Sequence, residues 1–404
     1  MKHRLVIVGN GMASGRLLEH LFDAAPDTYD VTLFGAEPRA NYNRIMLSPV
    51  LAGEQTFEQI VIHDTGWYAE RNIACRFGET VTRIDRDKQV VRSRNGETPY
   101  DRLVIATGSA PFMISVAGKD LRGVLTFRDL DDVNAMIGAA EKPGAKAVVI
   151  GGGLLGLEAA AALRARGMDV VLLHIMGHLM ELQLDPAAGL LLQKEMERRG
   201  IKVHCRAQTT AILGHRSAEA VLLDDSTIYP ADLVVMATGI RPETRIATDA
   251  RLDVERGVVV DDRMRTSDPE ILAIGECVEH DSRCYGFVAP LYDMAAVAAK
   301  TLLGVDAAFH PAQTATTLKV SGVNVFSAGE FMSAPGNEEI ILSDPGARTY
   351  RKLVVRRDRL VGAVLIGNTA DGPWYADLMG SGQSIAAFRD DLAFGRAIAL
   401  PEAA

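Results

Sequence analysis

The chain has 404 residues and a formal net charge of −9, with 48% apolar and 24% charged residues. That length predicts two or three domains of ordinary globular composition, and the acidic balance argues against the broad basic surface that nucleic acids require. No apolar run approaches the ~20 residues of a bilayer crossing, so neither nucleic acid nor membrane is an expected partner. The four cysteines, Cys75, Cys205, Cys277 and Cys284, form no C-x-x-C pair. Reduced thiols in a cytoplasmic protein are therefore expected, rather than a disulfide framework or zinc ribbon. The first predicted strand starts at Arg4, which leaves no room for a signal peptide.

Arg4–Val8 reads as a strand, followed by a glycine turn, an amphipathic helix over Ala13–Leu21 and a strand at Val31–Phe34. Ala74–Phe77, Thr82–Ile84, Val90–Arg92 and Leu103–Ala106 read as strands of a small sheet that returns to this first core. The strand–turn–helix–strand pattern recurs at Ala147–Ile150, Leu154–Ala165 and Val170–Leu173, and Val221–Leu223, Leu233–Ala237 and Ile271–Ile274 follow as strands. From about Ala315 the pattern changes to Thr317–Val320, Val323–Ser327, Glu339–Leu342, Lys352–Arg356 and Arg359–Ile366. These predict an antiparallel sheet with turns at Gly322, Gly336 and Asp358, closed by helices over Pro373–Met379 and Ile385–Leu392. The expected fold class is α/β: two Rossmann-like dinucleotide-binding domains and a small α+β C-terminal domain. The expected boundaries are 1–112 and 243–314 for the first nucleotide domain, 113–242 for the second and 315–404 for the last.

Each βαβ unit opens on a glycine-rich loop. In the first, Gly9 permits a tight turn and Gly11 lets backbone approach a pyrophosphate at the helix N-terminus. The third motif position is Ser14, small enough for close helix–strand packing, where glycine or alanine is usual. Glu37, just past the second strand, is the acid available for a ribose hydroxyl. The second loop, Gly151-Gly152-Gly153-Leu154-Leu155-Gly156, fits G-x-G-x-x-G in full, and Glu158 follows it. His174 stands at its strand end, where NAD binders usually carry Asp or Glu and NADP binders Arg. No Lys or Arg lies between Val170 and Leu190, which favours NADH and leaves NADPH possible, with His174 and His178 as the groups that would then meet the phosphate. A metal pair at His174 and His178 lacks a third ligand and has Gly177 between its members, so no metal site is expected. Ala106-Thr107-Gly108 and Ala237-Thr238-Gly239 each end an apolar strand and echo one another. Ile271–Ile274 then leads to Gly275 and Glu276, a carboxylate placed to accept from a flavin's ribityl hydroxyl.

Taken together, these residues resemble the FAD-dependent pyridine-nucleotide oxidoreductases, flavoproteins with two dinucleotide-binding domains. The resemblance covers about residues 4–300 and implies that the first loop binds FAD and the second the nicotinamide cofactor. It also implies that Gly275-Glu276 closes on FAD, with Glu276 in place of the family's Asp. The stretch Asn41-Tyr42-Asn43-Arg44-Ile45-Met46-Leu47-Ser48 is similar to the flavin-contact segment of rubredoxin and ferredoxin reductases. That similarity implies Arg44 and Ser48 against the flavin, Val81 and Arg128 on the adenine side, and Val288 to Pro290 beside the isoalloxazine. Pro49 stands where that branch commonly has a Lys paired with the Glu after the second loop, so Glu158 lacks its usual partner.

The same resemblance narrows the reaction. Disulfide reductases of the family carry a reactive Cys pair after the first helix, and peroxidase-type members carry a Cys near 41–46; this chain has neither. Gln183-Leu184-Asp185, Tyr285–Pro290, Gly329-Glu330, Leu365–Thr369, Asp371–Tyr375 and Phe388–Gly395 look like the FAD modules of assimilatory nitrate and nitrite reductases. No Cys follows Cys284, so the tail has no thiolates for an iron–sulfur cluster. The resemblance implies hydride transfer from NADH to FAD and delivery of electrons to a separate redox protein, foremost the catalytic subunit of an assimilatory nitrate reductase. Glu158 would orient the carboxamide, while Arg44 and Glu276 would fix the flavin. A rubredoxin- or ferredoxin-like carrier and a nitrite reductase are the alternative acceptors, and an NADH-responsive redox sensor is the alternative of another class. Trp374 and Tyr375 are expected in a packed interior more than at a partner surface.

Overall fold

The computed structural model describes residues 2–311, 315–320 and 322–400, apart from the side chains of 318–320. It divides into two compact units, Met1–Val50 with Glu54–Phe112 and Ile240–Ala312, and Leu51–Gly53 with Met113–Gly239 and Gln313–Ala404.

The first unit is built on a parallel sheet of five strands in the order Ile271–Ala273, Arg102–Ile105, His3–Val8, Tyr29–Gly35, Ala74–Phe77. Strands inside such a sheet are covered on both faces, which is why they read as continuous apolar runs. Leu5, Ile7, Leu33, Leu103, Val104, Ile105 and Ile271 are fully buried. Helix Met12–Ala24 buries Leu17, Leu18 and Leu21 and packs along helix Val288–Leu302. Ala74–Phe77 and Leu103–Ala106, expected in a small sheet, instead join this parallel sheet: the first is its edge strand, registered Thr32 to Ala74 through Gly35 to Phe77, and Arg102–Ile105 pairs with His3–Val8. The small antiparallel sheet holds Val81–Asp85, Val90–Ser93 and Gly96–Pro99. Short strands of one composition serve either sheet, and only tertiary pairing decides between them.

The second unit repeats the layout. Its parallel sheet runs Val124–Leu125, Leu233–Met236, Lys146–Ile150, Asp169–His174, Lys202–Cys205. In both sheets the strand that feeds a glycine loop lies between its βαβ partner and the strand that ends in Ala-Thr-Gly. The unit also holds a five-stranded antiparallel sheet ordered Thr316–Val320, Val323–Gly329, Arg359–Ile366, Thr349–Arg356, Glu338–Asp344. Arg357 and Asp358 both adopt positive φ (49° and 53°) between strands registered Arg356 to Arg359, so the expected turn is a tight two-residue hairpin. Helix Gly372–Ser381 packs on the sheet, and Trp374, Tyr375 and Phe388 belong to that core. The helix expected over Ile385–Leu392 is two short 3₁₀ turns, Ala386–Phe388 and Leu392–Phe394. A segment this short, ending at Gly395, cannot offset the cost of nucleating an α-helix, and tertiary bonds fix it instead, Ile385 N–H to Asp358 O (2.8 Å) among them.

A polar cluster ties this C-terminal sheet to the nucleotide fold of the same unit. Tyr350 Oη donates to Asp185 Oδ2 (2.8 Å), and the buried Lys352 ammonium lies 3.7 Å from Asp185 Oδ2 and 3.1 Å from Glu339 Oε1. Asp185 also caps helix Pro186–Arg198 through the Ala188 N–H. No described helix is long and apolar enough to cross a membrane.

At the start of the first sheet, Asp101 accepts bonds from the Arg4 backbone N–H (2.7 Å), Nε (3.1 Å) and Nη2 (2.6 Å). These bonds hold its carboxyl down at about 2. A carboxylate whose folded value is depressed adds stability above its ordinary titration range and loses it as pH falls through the folded value. We expect the gap in Tm between the wild type and Asp101→Asn to be full above about pH 4 and to close as pH approaches 2. Thermal melts across that range measure it.

Candidate functional site

The carboxyl edge of the first parallel sheet gathers most residues of the first candidate site. Gly9 has φ +115°, and a Cβ there would lie 2.0 Å from Ala106 O. Only glycine allows the neighbouring strand's carbonyl so close to the turn. Gly9 N–H donates to Phe34 O (2.8 Å), which aligns the turn with the second strand. Gly11 is the N-cap of helix Met12–Ala24, and a Cβ built on it meets nothing within 4 Å. The N-cap glycine is therefore open, while the glycine two residues before it is crowded. Ser14 is fully buried and donates from Oγ to Gly11 O (2.8 Å), so the serine adds a bond across the loop where the usual glycine would only make room.

Asn41 also shapes this loop. Its fully buried amide donates to Asn10 O (3.1 Å) and Gly11 O (2.7 Å). These bonds satisfy the loop carbonyls, while the first-turn N–H groups of the helix have no partner within it. Asn41 lay within the segment quoted for the flavin, yet nothing in the pattern marked it as the loop's support. Glu37 accepts from Tyr42 Oη (2.8 Å) and pairs with Arg44, and Arg39 Nη1 lies 3.8 Å away. Arg44, expected against the flavin, is thus placed with the ribose candidate Glu37. Ser48 lies in the short helix Leu47–Ala52, and Val81 is buried in its sheet.

Ala106, Thr107 and Gly108 end the strand beside the loop, and Thr107 Oγ1 donates to Glu243 O (2.7 Å). Gly275 (φ +89°) sits against Ala13 of the loop helix, with 3.3 Å to a Cβ built on it, so Gly275-Glu276 stands beside the first glycine loop. Glu276 Oε2 accepts from Ser109 Oγ (2.7 Å). Ser109 directly follows Ala-Thr-Gly, and its role was missed although its position was visible. Val288 and Pro290 open helix Val288–Leu302, which packs on the loop helix.

The second candidate site repeats this construction in the other unit. Gly151 has φ +122°, a Cβ on it would meet Ala237 O at 2.1 Å, and its N–H donates to Leu173 O (2.8 Å). Gly156 packs on Gly151 O, at 1.9 Å from a Cβ, whereas one on Gly153, the helix N-cap, meets nothing within 4 Å. Leu155 is partly exposed on the first turn, Glu158 is half-buried a turn later, and Gly239 (φ +112°) ends the Ala-Thr-Gly segment. Arg128 lies just before the Asp129-capped helix Leu130–Ala140, its N–H on Asp132 Oδ2 (2.8 Å). His174 is buried, with Nδ1 accepting from Gly152 N–H (3.0 Å) and Nε2 2.9 Å from Glu181 Oε2. His178 Nε2 bonds Leu184 O (3.1 Å). Both ring nitrogens of His174 are thus occupied within the fold. Among the described residues no cluster of three His, Cys, Asp or Glu is arranged for a metal.

Residues 3–301 match the model of the pyridine nucleotide-disulphide oxidoreductases. The chain belongs to that family. Residues 315–383 match the rubredoxin NAD+ reductase C-terminal domain. The chain is 46% identical over 373 residues to a nitrite reductase [NAD(P)H] of Bacillus subtilis, covering 92% of this chain and 46% of that protein. It is 40% identical over 372 residues to the assimilatory nitrate reductase electron transfer subunit of the same organism, covering 92% and 48%. The chain thus spans about half the length of these curated relatives. The crystal structure of a putidaredoxin reductase–putidaredoxin complex superposes with TM-score 0.85 at 26% identity, over 95% of this chain and 94% of that one.

Within a family named for disulphide chemistry, the thiols here are unsuited to it. All four cysteines are free. Burial pushes Cys75 up to about 11 and raises Cys205, Cys277 and Cys284 as well. None is held as the thiolate that exchange requires.

The carbonyl-on-glycine contacts predict the effect of the smallest side chain. Gly9→Ala and Gly151→Ala should each destabilise their unit by about 2–4 kcal/mol, because backbone on both sides must move. Gly11→Ala and Gly153→Ala, which meet nothing, should cost less than about 1 kcal/mol. Chemical denaturation of the four variants gives the comparison.

Proposed function

We propose that the protein is an FAD-dependent NAD(P)H oxidoreductase that delivers electrons to a redox partner protein in nitrate or nitrite assimilation. The first glycine loop, with residues 1–112 and 243–314, holds FAD, and the second, within 113–242, holds the nicotinamide dinucleotide. The observation that carries this reading is the paired construction of the two loops. In each, one glycine is locked against the carbonyl of an adjacent strand while the helix N-cap glycine is left open. An open N-cap backed by the partial positive charge of a helix N-terminus fits a pyrophosphate.

The assignment of FAD to the first loop rests on Gly275-Glu276, which stands beside that loop with Glu276 oriented by Ser109. There the carboxylate accepts from a ribityl hydroxyl, Glu37 accepts from the adenosine ribose, and Arg44 neutralises charge next to it. Ser48, Val81, Val288 and Pro290 complete the proposed flavin surroundings. Gly151, Gly153, Leu155, Gly156, Glu158, His174 and Gly239 belong to the nicotinamide site, where Glu158 orients the carboxamide. When bound, the two cofactors supply hydride transfer and storage of an electron pair for release in single steps. The chain's own work is positioning, since no side chain here must act as acid or base.

A protein acceptor is supported by thiols whose burial opposes the thiolate form, by relatives named for nitrite reduction and for electron transfer to nitrate reductase, and by the likeness to a reductase solved with its redox protein. We assign it to the cytoplasm. A nitrate reductase catalytic subunit is the proposed partner, with a nitrite reductase or a rubredoxin- or ferredoxin-like carrier as the second reading supported by the C-terminal domain match.

Purified protein should be yellow and should bleach anaerobically on adding NADH. Because a Cβ on Gly153 or Gly11 meets nothing within 4 Å, Gly153→Leu should stay yellow and resist bleaching, whereas Gly11→Leu should lose its FAD. The opposite pattern would reverse the two assignments, and a colourless wild type would end the proposal. Reconstitution with each acceptor separates the partners. Slow turnover with all of them, together with a lasting charge-transfer band, would favour a redox sensor.

A further inference from the structure

The strand end of the second nucleotide fold carries a charge arrangement that the sequence motif does not describe. His174 occupies the place of the usual acid. Its Nδ1 accepts a bond from Gly152 N–H (3.0 Å), so Nδ1 bears the lone pair and Nε2 the proton. Nε2–H therefore donates to Glu181 Oε2 (2.9 Å). The loop carrying Glu181 is stitched to the glycine loop a second time, by Met180 N–H to Gly152 O (3.0 Å). Glu181 is thus fixed with respect to Gly152 through two independent bonds. The His174 side chain is 5% exposed and that of Glu181 26%, so the carboxylate is held from behind and open in front.

One cation competes for the same strand end. Arg206 follows strand Lys202–Cys205, and its N–H donates to Met176 O (2.9 Å). Its guanidinium lies 3.6–3.7 Å from a Cβ built on Gly177. The absence of Lys and Arg between Val170 and Leu190 therefore does not describe the whole site. The guanidinium makes no hydrogen bond or ion pair among the described residues, whereas Glu181 is aimed by a buried partner.

We propose that Glu181, positioned by His174, accepts from the adenosine ribose 2′-hydroxyl of the nicotinamide coenzyme and repels a 2′-phosphate, which makes the protein selective for NADH. The acid that the motif places at the strand end has moved seven residues along the chain, and a histidine returns it to the ribose. A fixed carboxylate gains a charged hydrogen bond from the hydroxyl and meets a like charge in the phosphate. This assignment rests on the reading of the second loop as the nicotinamide site.

The test titrates the FAD-loaded, oxidised protein calorimetrically with ADP-ribose and with 2′-phospho-ADP-ribose, neither of which reduces flavin. Wild type should bind ADP-ribose roughly tenfold or more tighter. Glu181→Gln should lose most of that preference and Glu181→Arg should reverse it, with the flavin spectrum unchanged. His174→Ala should behave like Glu181→Gln, and the double variant should lose little more, as coupled groups do. His174→Gln, whose amide N–H can still donate, should recover part of the preference. Equal binding of the two probes by wild type, a preference that survives Glu181→Gln, or a 2′-phosphate preference abolished by Arg206→Gln would each overturn the assignment while NADH bleaching stands. If neither probe binds and NADH does not bleach the flavin, the second-loop reading falls and the assignment with it.

Discussion

The two nucleotide folds depend on one contact made twice, a strand carbonyl pressed against the first glycine of a loop. Ala106 O lies over Gly9 and Ala237 O over Gly151, each at about 2 Å from where a Cβ would be. The contact requires a positive φ at the glycine, sets the strand that ends in Ala-Thr-Gly beside the loop strand, and turns the chain into the helix. It also frees the next glycine of the motif from any packing duty. Gly11 and Gly153 therefore remain open at the helix N-caps, where N–H groups lack partners within the helix. Crowding at one glycine and space at the other are two results of a single geometry.

Support for these loops comes from outside the glycine motif, and it differs between the two. In the first, Asn41 and Ser14 hold the loop carbonyls. In the second, His174 and Met180 hold Gly152. The segment that follows His174 then reaches Asp185, which is bonded to Tyr350 and lies near Lys352 of the C-terminal sheet. The chain between the strand end at His174 and the C-terminal sheet is thus pinned at both ends by buried polar contacts. Such contacts are costly to break one partner at a time, because the remaining group is left buried and unpaired. Within the second unit, the C-terminal sheet therefore holds the nucleotide fold through a short, stiff segment.

Periodicity and glycine spacing made the nucleotide folds legible, since Gly9, Gly151 and the Ala-Thr-Gly segments are local signatures of backbone geometry. The antiparallel tail was legible for the same reason, with alternation and turn residues agreeing at Arg357-Asp358. Helix Pro186–Arg198 was missed although Asp185 and Pro186 form a capped start. Helix Val288–Leu302 was missed although Leu291, Met294, Ala295, Ala298 and Leu302 recur at helical spacing and are buried on one face. Ala74–Phe77 was given to the wrong sheet, and no local feature distinguishes the two pairings. Asn41, Ser109 and Glu181 share another limit. Each bonds to partners distant in sequence or displaced from a motif position, and a motif records only the residues that recur at fixed spacing.

The thiols bear on where electrons can leave. Disulphide exchange needs a thiolate within reach of its partner, and burial opposes the charged form at each of the four cysteines. Cys277 illustrates the point, because it directly follows Glu276 in a segment proposed to face the flavin. The residue is fully buried, and its Sγ–H is directed to Ile274 O (3.2 Å), a packed position next to Thr107. A fold that places a cysteine one residue from its proposed cofactor contact, and turns it inward as a packing group, has not built a thiol relay there. What the same segment presents instead is Glu276, aimed by Ser109, a group that can hold a cofactor and cannot receive electrons from it. On the function proposed above, electrons would leave to an acceptor other than these four thiols, and selectivity among acceptors would be set by surfaces rather than by a redox side chain.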